Sequence, residues 1–221
     1  MDSITIPRIF DAHLHLRQPR GWRGDLGCST DGLLSPVLPF SAAVCARSVV
    51  MPNTVPPILN AESACRYREE ILRAASVLGY PKFEPLMTIY LTGATTPQMI
   101  REAKESGVVA VKWYPRGAST NSASGLAVSG LSSVIPTLRA IAENGLVFSV
   151  HAEDPGRSIF CMDRESSFVS LLQMIMREVP DLRIVVEHVT SEAMIDFVEE
   201  APVTVAATVT AHHLVMTLDD V

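Results

Sequence analysis

Short aliphatic runs recur along this 221-residue chain, and longer amphipathic stretches separate them. The runs are almost continuous in Val, Ile, Leu and Ala, which is typical of strands that are buried on both faces. Apolar residues spaced three and four apart predict helices between them. Seven strands are predicted, around residues 10–17, 48–53, 85–91, 108–114, 146–150, 182–189 and 203–209.

The intervening helices are marked by residues that favour helix ends. Asn60 can cap a helix that runs to Leu78, where Gly79 ends it. Two segments, Pro19 to Pro39 and Pro115 to Gly130, are rich in small and turn-forming residues and are predicted to be long loops. Four further helices are predicted over residues 96–106, 135–143, 166–178 and 191–200.

Strands that alternate with helices indicate a parallel sheet with helices outside it. Side chains capable of chemistry stand at or near the C-terminal strand ends, where a (β/α)8 barrel keeps its active site. A doubly wound open sheet also binds ligands there, but no G-x-G-x-x-G follows the first strand. We predict a single (β/α)8 barrel domain over residues 1–221, with about seven strand units present and the eighth missing. The strand-end residues are His13, His15, Asn53, Lys112, His151 and His188.

Composition narrows the function classes. The 18 Lys and Arg residues against 24 Asp and Glu give a net charge of −6, which argues against general nucleic-acid binding. No apolar run approaches the roughly 18 to 20 residues of a membrane span, and the first residues lack the pattern of a secretory signal. The four cysteines form no C-x-x-C pair. We expect a cytoplasmic protein with reduced thiols and no membrane or nucleic-acid partner.

The motif His13-x-His15 is the first candidate for metal binding. On a strand both imidazoles point to one face, about 7 Å apart, and can converge on one ion. Arg17 follows and would place a positive charge beside that ion. The two histidines could equally be ordinary polar residues on a half-exposed strand.

Lys112 lies in the aliphatic run 108–114, where a buried ammonium is costly. Its amine could extend to solvent at the strand end. Alternatively, burial lowers its pKa and the neutral amine captures carbon dioxide as a carbamate. His151 and His188 each follow an aliphatic run, and each alone could be a core histidine. Together with the first two histidines, these residues could hold two metal ions that share one bridging ligand.

Several motifs follow one another in order: H-x-H-x-R at residues 13–17, the segment 51–57, Lys112-Trp113-Tyr114-Pro115 with the Ser/Thr loop 118–122, His151, and Glu187-His188. In this order they resemble the dihydroorotases, specifically the monofunctional, pyrimidine-pathway kind within the amidohydrolase superfamily. H-x-H alone would indicate only the superfamily.

The resemblance implies a zinc-dependent, reversible interconversion of N-carbamoyl-L-aspartate and L-dihydroorotate in pyrimidine biosynthesis. It implies two zinc ions, one held by His13 and His15 and the other by His151 and His188, with carboxylated Lys112 as the bridge. It also implies that Arg17 and Asn53 bind the substrate carboxylate, and that Ser119 and Thr120 lie on a loop that closes over it. The expected partner is a small-molecule substrate, and a homodimer is a possible assembly.

The sequence departs from the family at two places. Residue 18 is Gln where the family usually has an acid. The metal-bound Asp that serves the family as acid and base follows the eighth strand, and neither Asp219 nor Asp220 is assigned to that role. No catalytic residue is therefore predicted within residues 1–221. His212 and His213 are predicted to be loop residues, although His213 could match a family position.

Two alternatives remain. A hydantoinase or dihydropyrimidinase can share the H-x-H motif and the carboxylated lysine, but the anion-binding Arg17 and Asn53 argue against it. A non-catalytic barrel that serves as an interaction or regulatory subunit would fit the missing Asp. Seven strands would leave two unpaired edges, so we expect a fragment of a longer protein, or a ring that a partner or second copy completes. Alone, such a chain should bind metal weakly, be poorly soluble and turn over little.

Overall fold

The computed structural model describes residues 5–16 and 34–220, in which seven strands alternate with six α-helices. None of these helices combines the length and the apolar character needed to cross a membrane. The elements are β1 (Ile9–Leu14), α1 (Leu34–Ala42), β2 (Cys45–Val50), α2 (Ala61–Val77), β3 (Glu84–Tyr90), α3 (Pro97–Glu105), β4 (Ala110–Trp113), α4 (Ile135–Glu143), β5 (Val147–Val150), α5 (Arg164–Glu178), β6 (Arg183–Val186), α6 (Glu192–Glu200) and β7 (Val205–Ala207).

The strands form one parallel sheet in the order β1-β2-β3-β4-β5-β6-β7. The sheet is curled, as the contact between β1 and the end of β6 shows. The His13 side chain on β1 forms a hydrogen bond with Glu187, which follows β6. This half-barrel confirms the predicted fold class and the count of seven strand units. Among the described strands, β1 and β7 are the two edges, as expected.

Helix α1 corrects one prediction, because its first residues lie in the segment Pro19 to Pro39 that was predicted to be a loop. The prolines suggested a loop, yet Pro36 lies in the first helical turn, where a missing N–H costs little. Pro39 lies inside the helix. Leu38 and Ala42, four residues apart, are both fully buried, and this packing stabilises a helix that the prolines oppose.

Several strand boundaries also differ from the prediction, and β2 spans Cys45–Val50 instead of residues 48–53. The first strand ends at Leu14, before residue 17, and β6 and β7 are shorter than the aliphatic runs 182–189 and 203–209. For β6 the reason is local: Glu187 still donates its N–H to the Val150 carbonyl, but His188 takes a positive φ of 47° and leaves the sheet. An aliphatic run alone does not reveal such a turn.

Strand β4 separates an apolar layer from a polar interior. Trp113 faces the helices, with its ring 5.4 Å from Phe168 of α5 and 6.1 Å from Phe148 of β5. Side chains alternate along a strand, so Lys112 and Tyr114 point to the opposite face, the inside of the curled sheet. All of these residues are buried. The interior therefore carries a charged group, while the hydrophobic core lies between sheet and helices.

We expect Asn60→Ala to lower the free energy of unfolding by about 1 kcal/mol, because Asn60 caps α2. Its side chain accepts a hydrogen bond from the Ser63 N–H at 2.9 Å, and the Ser63 hydroxyl accepts one from the Asn60 N–H at 3.2 Å. Urea denaturation would measure the loss. Gln98→Ala on the exposed face of α3 is the control, and equal midpoints for the two variants would contradict the capping role.

Candidate active site

The first histidine pair comes from β1 and the residue after it. His13 and His15 share one face, with their Nε2 atoms 3.1 Å apart, while Leu14 and Leu16 are buried on the other face. This is the alternation that the sequence predicted. Both imidazoles are partly exposed and point into the curled sheet.

The second pair follows β5 and β6. His151 Nδ1 lies 3.0 Å from His188 Nε2, and the ring of His188 is 5.5 Å from that of His13. The four imidazoles therefore form one row. The row lines an open pocket of about 410 Å³, within the range of small-molecule sites. The other residues that line the pocket are Glu153, Thr190, Thr210, His212 and His213.

Lys112 lies inside the curled sheet and is wholly buried. Its Nζ has no hydrogen-bond partner among the described residues and lies 5.1 Å from the centre of the Tyr114 ring. Burial lowers the pKa of this amine to about 8, although the charge of Glu187 acts in the opposite direction. The lysine therefore does not extend to solvent at the strand end, and a substantial fraction of its amine is neutral near pH 8.

Glu187 is the central acid of the site, although only its place in a motif marked it in the sequence. Its carboxylate, 2% exposed, lies 2.9 Å from His13 Nδ1 and accepts hydrogen bonds from Thr208 Oγ1 at 2.7 Å and from the Ser149 hydroxyl. Burial alone would raise its pKa. The charge of Lys112 and the bonds from His13 and Ser149 outweigh burial, so the pKa lies well below its ordinary value and the group is ionised.

The turn after β6 holds His188 in the left-handed region of backbone space, which is uncommon for a residue with a side chain. Its N–H donates to Thr208 Oγ1 at 2.7 Å, and the Val189 N–H donates to the Thr208 carbonyl at 2.9 Å. Burial and the nearby positive charges, Lys112 first among them, lower the pKa of His188 to about 2. The imidazole is therefore neutral and keeps a lone pair available for a ligand.

Glu165, in the first turn of α5, stabilises Thr190 and Ser191, which follow the backbone turn at His188. Its buried carboxylate accepts hydrogen bonds from the Thr190 N–H at 3.0 Å, the Thr190 hydroxyl at 3.0 Å and the Ser191 N–H. Ser191 is the N-cap of α6. Glu165 thus links α5 to the start of α6 and to the turn that carries His188. No sequence signal singled it out.

Asn53 and the loop that carries Ser119 and Thr120 form a second cluster beside the row. Asn53 is fully buried, and its Nδ2 donates to the Thr120 carbonyl at 3.1 Å while its Oδ1 has no partner among the described residues. Ser119 bonds within its own turn, to Ser122. The structure thus brings Asn53 and the loop together. Arg17, like Gln18, lies outside the described residues.

Two tyrosines join this cluster to the histidines. The Tyr114 ring lies 6.0 Å from His151 and stacks on Tyr90 at 5.2 Å, and the Tyr90 hydroxyl donates to the Asn121 carbonyl at 3.4 Å. The loop is therefore in contact with residues that pack against the row. Neither tyrosine was predicted as a site residue, because an aromatic residue at a strand end is more often core.

Comparison with known proteins shows which family the chain resembles. No protein-family model matches the chain. A dihydroorotase from Teredinibacter turnerae is 43% identical over 215 residues, which are 96% of this chain. The chain is similar to dihydroorotases along nearly its whole length. It spans 58% of the length of that curated dihydroorotase and 60% of a second one, from Neisseria gonorrhoeae.

Solved structures agree with this placement. A dihydroorotase from Campylobacter jejuni superposes with a TM-score of 0.82 at 32% identity, over 96% of this chain and 57% of the other. A dihydroorotase from Saccharomyces cerevisiae, in complex with 5-fluoroorotic acid, superposes with a TM-score of 0.80 at 32% identity, over 96% and 58%. An L-hydantoinase from Arthrobacter aurescens, at 18% identity, shares the fold alone, with a TM-score of 0.70 over 97% and 49%.

The similarity to dihydroorotases implies a metal ion, and the donor set fits one in part. No group of three or more His, Cys, Asp or Glu side chains in residues 5–16 and 34–220 is arranged to hold a metal. The imidazoles approach in pairs instead, with nitrogens 3.1 and 3.0 Å apart. Two nitrogens bound to one zinc ion at about 2.0–2.1 Å lie roughly 3.0–3.4 Å apart, so each pair has the spacing of two ligands.

We expect Glu165→Ala to lower the free energy of unfolding by about 1–3 kcal/mol, because the N–H groups of Thr190 and Ser191 would lose a charged hydrogen-bond acceptor. Thermal and urea denaturation would measure this loss. Glu178→Ala, at the other end of α5, is the control, because its ion pair with Arg139 at 3.4 Å is half exposed and contributes little. A loss no larger than that of the control would show that the turn does not depend on Glu165.

Proposed function

We propose that the chain carries the active site of a zinc-dependent dihydroorotase, which interconverts N-carbamoyl-L-aspartate and L-dihydroorotate in pyrimidine biosynthesis. In the ring-closing direction an amide C–N bond forms between the ureido nitrogen and the side-chain carboxyl carbon, and water leaves. The observation that carries the proposal is the row of four imidazoles beside a buried lysine that has no hydrogen-bond partner among the described residues, in a chain 43% identical to a dihydroorotase. The proposal includes a cytoplasmic location and a small-molecule substrate.

The two histidine pairs are the proposed zinc ligands. His13 and His15 would hold one ion, and His151 and His188 the other, since each pair presents two nitrogens at ligand spacing. When bound, two zinc ions supply a nucleophilic hydroxide and polarise the reacting carbonyl. The depressed pKa of His188 supports its role, because a ligand must be a neutral imidazole.

Lys112 is proposed as the bridge, after carboxylation. Its neutral amine would attack the carbon of carbon dioxide, form an N–C bond and release a proton, which yields a carbamate with two oxygen ligands. The buried Nζ without a hydrogen-bond partner and the pKa of about 8 both favour this reaction. An ordinary lysine with its pKa above 10 would remain protonated.

Binding of the substrate carboxylate is proposed for Arg17 and Asn53, together with Ser119 and Thr120 of the loop. An arginine fork and an amide donor both match a carboxylate. Asn53 already contacts the Thr120 backbone at 3.1 Å, so loop and amide would act on the substrate together. The yeast dihydroorotase was solved with 5-fluoroorotic acid, a ligand that carries a carboxylate.

We expect the purified 221-residue chain, supplied with zinc, to hydrolyse L-dihydroorotate at a low but measurable rate and not to hydrolyse dihydrouracil, which lacks the carboxylate. A chelator should abolish this rate and zinc should restore it. His188→Asn should abolish it too, whereas Glu178→Gln on the far end of α5 should not. Preference for dihydrouracil would instead indicate a dihydropyrimidinase.

We expect Lys112 to carry a carbamate when zinc is bound. Carbon-13 NMR of zinc-loaded protein in labelled bicarbonate would detect a carbamate resonance, and Lys112→Ala should remove it. Lys104→Ala is the matched control, because Lys104 is exposed on α3. Short carboxylic acids should restore part of the activity of Lys112→Ala. A bare amine in fully metallated protein would contradict the proposal.

A further inference from the structure

We infer that Glu187 is a positioning residue for both histidine pairs, and that it fixes His13 as the tautomer with its proton on Nδ1 and its lone pair on Nε2. The inference deepens the proposed function, because it names the group that prepares the metal-facing nitrogen. It is carried by the hydrogen bonds of one buried carboxylate with three strand ends.

The tautomer of His13 follows from its two neighbours. Nδ1 lies 2.9 Å from Glu187 Oε2, and the same oxygen accepts a hydrogen bond from the Thr208 hydroxyl, so Oε2 is an acceptor and Nδ1 must donate and carry a proton. In a neutral imidazole the other nitrogen, Nε2, then has the lone pair. That nitrogen is the one that faces His15 at 3.1 Å. A metal placed between the two rings would therefore meet a lone pair and not a proton.

The same carboxylate reaches the second pair through Thr208. The Thr208 hydroxyl donates to Glu187 at 2.7 Å and accepts the His188 N–H at 2.7 Å. A hydroxyl has one proton and can do both at once. The backbone of His188, held at a positive φ, is thus tied to the group that orients His13.

Glu187 is not simply the ion-pair partner of Lys112. The lysine Nζ makes no hydrogen bond within the described part of the chain, whereas the carboxylate makes three, to His13, Ser149 and Thr208. Its charge acts on Lys112 from a distance. Metal-binding histidines commonly donate their second nitrogen to a carboxylate, which fixes the ring and raises its basicity.

The tautomer can be read directly by long-range proton–nitrogen NMR of the metal-free chain at pH 8, where an unperturbed imidazole is neutral. His13→Gln would assign the signals. We expect a protonated Nδ1 and an unprotonated Nε2 for His13. An Nε2–H tautomer, or a ring protonated on both nitrogens, would overturn the inference. The readout needs neither zinc nor turnover, so it is independent of the proposed function.

Three variants test whether Glu187 sets the tautomer. Glu187→Leu should abolish the preference for Nδ1–H, and Glu187→Gln should keep it, because its amide oxygen can still accept. Thr208→Val, which removes only the link to His188, should also keep the His13 tautomer. An unchanged His13 signature in folded Glu187→Leu would overturn the inference, and if that variant does not fold, the wild-type spectrum and Glu187→Gln decide.

Zinc affinity is the second readout. We expect Glu187→Gln to bind zinc about 10- to 100-fold more weakly, as is typical when a supporting carboxylate is removed. Glu178→Gln should bind zinc as the unaltered chain does. A Glu187→Gln variant with unchanged zinc affinity would contradict a role in preparing the metal site.

Discussion

Parallel pairing of consecutive strands is the constraint on which the rest of this structure depends. Each strand must return to the same end before it pairs with its neighbour, and an outer helix makes the return. All the carboxyl ends consequently meet along one rim. His13, His151 and His188 are far apart in sequence, yet they come together at this rim because each lies at or just after a strand end.

The curled sheet gives this rim a polar interior. Lys112 and Glu187 are both buried there, and each changes the ionisation of the other. The carboxylate is stabilised by hydrogen bonds from three strand ends, whereas the amine has no hydrogen-bond partner within residues 5–16 and 34–220. The Glu187 carboxylate is therefore stabilised in its charged form, whereas burial favours the neutral, reactive form of the Lys112 amine.

Much of this arrangement could be predicted from the sequence, because its signals are local. Aliphatic runs gave the seven strands, Asn60 and Gly79 gave the ends of α2, and the alternation around Leu14 gave the common face of the first two histidines. Each signal lies within a few residues of the feature that it predicts. The family resemblance extended the prediction to residues whose spacing alone was ambiguous.

The features that were missed depend on packing or on distant partners. Helix α1 forms despite its prolines because Leu38 and Ala42 are buried, and no local propensity reveals that. Glu187 resembles any acid after a strand until its contacts with Ser149 and Thr208 are known. The left-handed turn at His188 likewise depends on Thr208, twenty residues later in the chain.

The contact between His13 and Glu187 joins residues 174 positions apart, whereas each strand pairs with the next one along the chain. Strand pairing can therefore proceed stepwise through short closures, but this contact requires almost the whole sheet to be in place. A chain that has paired its first five strands has a core and most of its helices, yet it has no oriented His13. The ability to present that imidazole correctly thus arises late in folding, and it distinguishes a completed sheet from a compact but unfinished one.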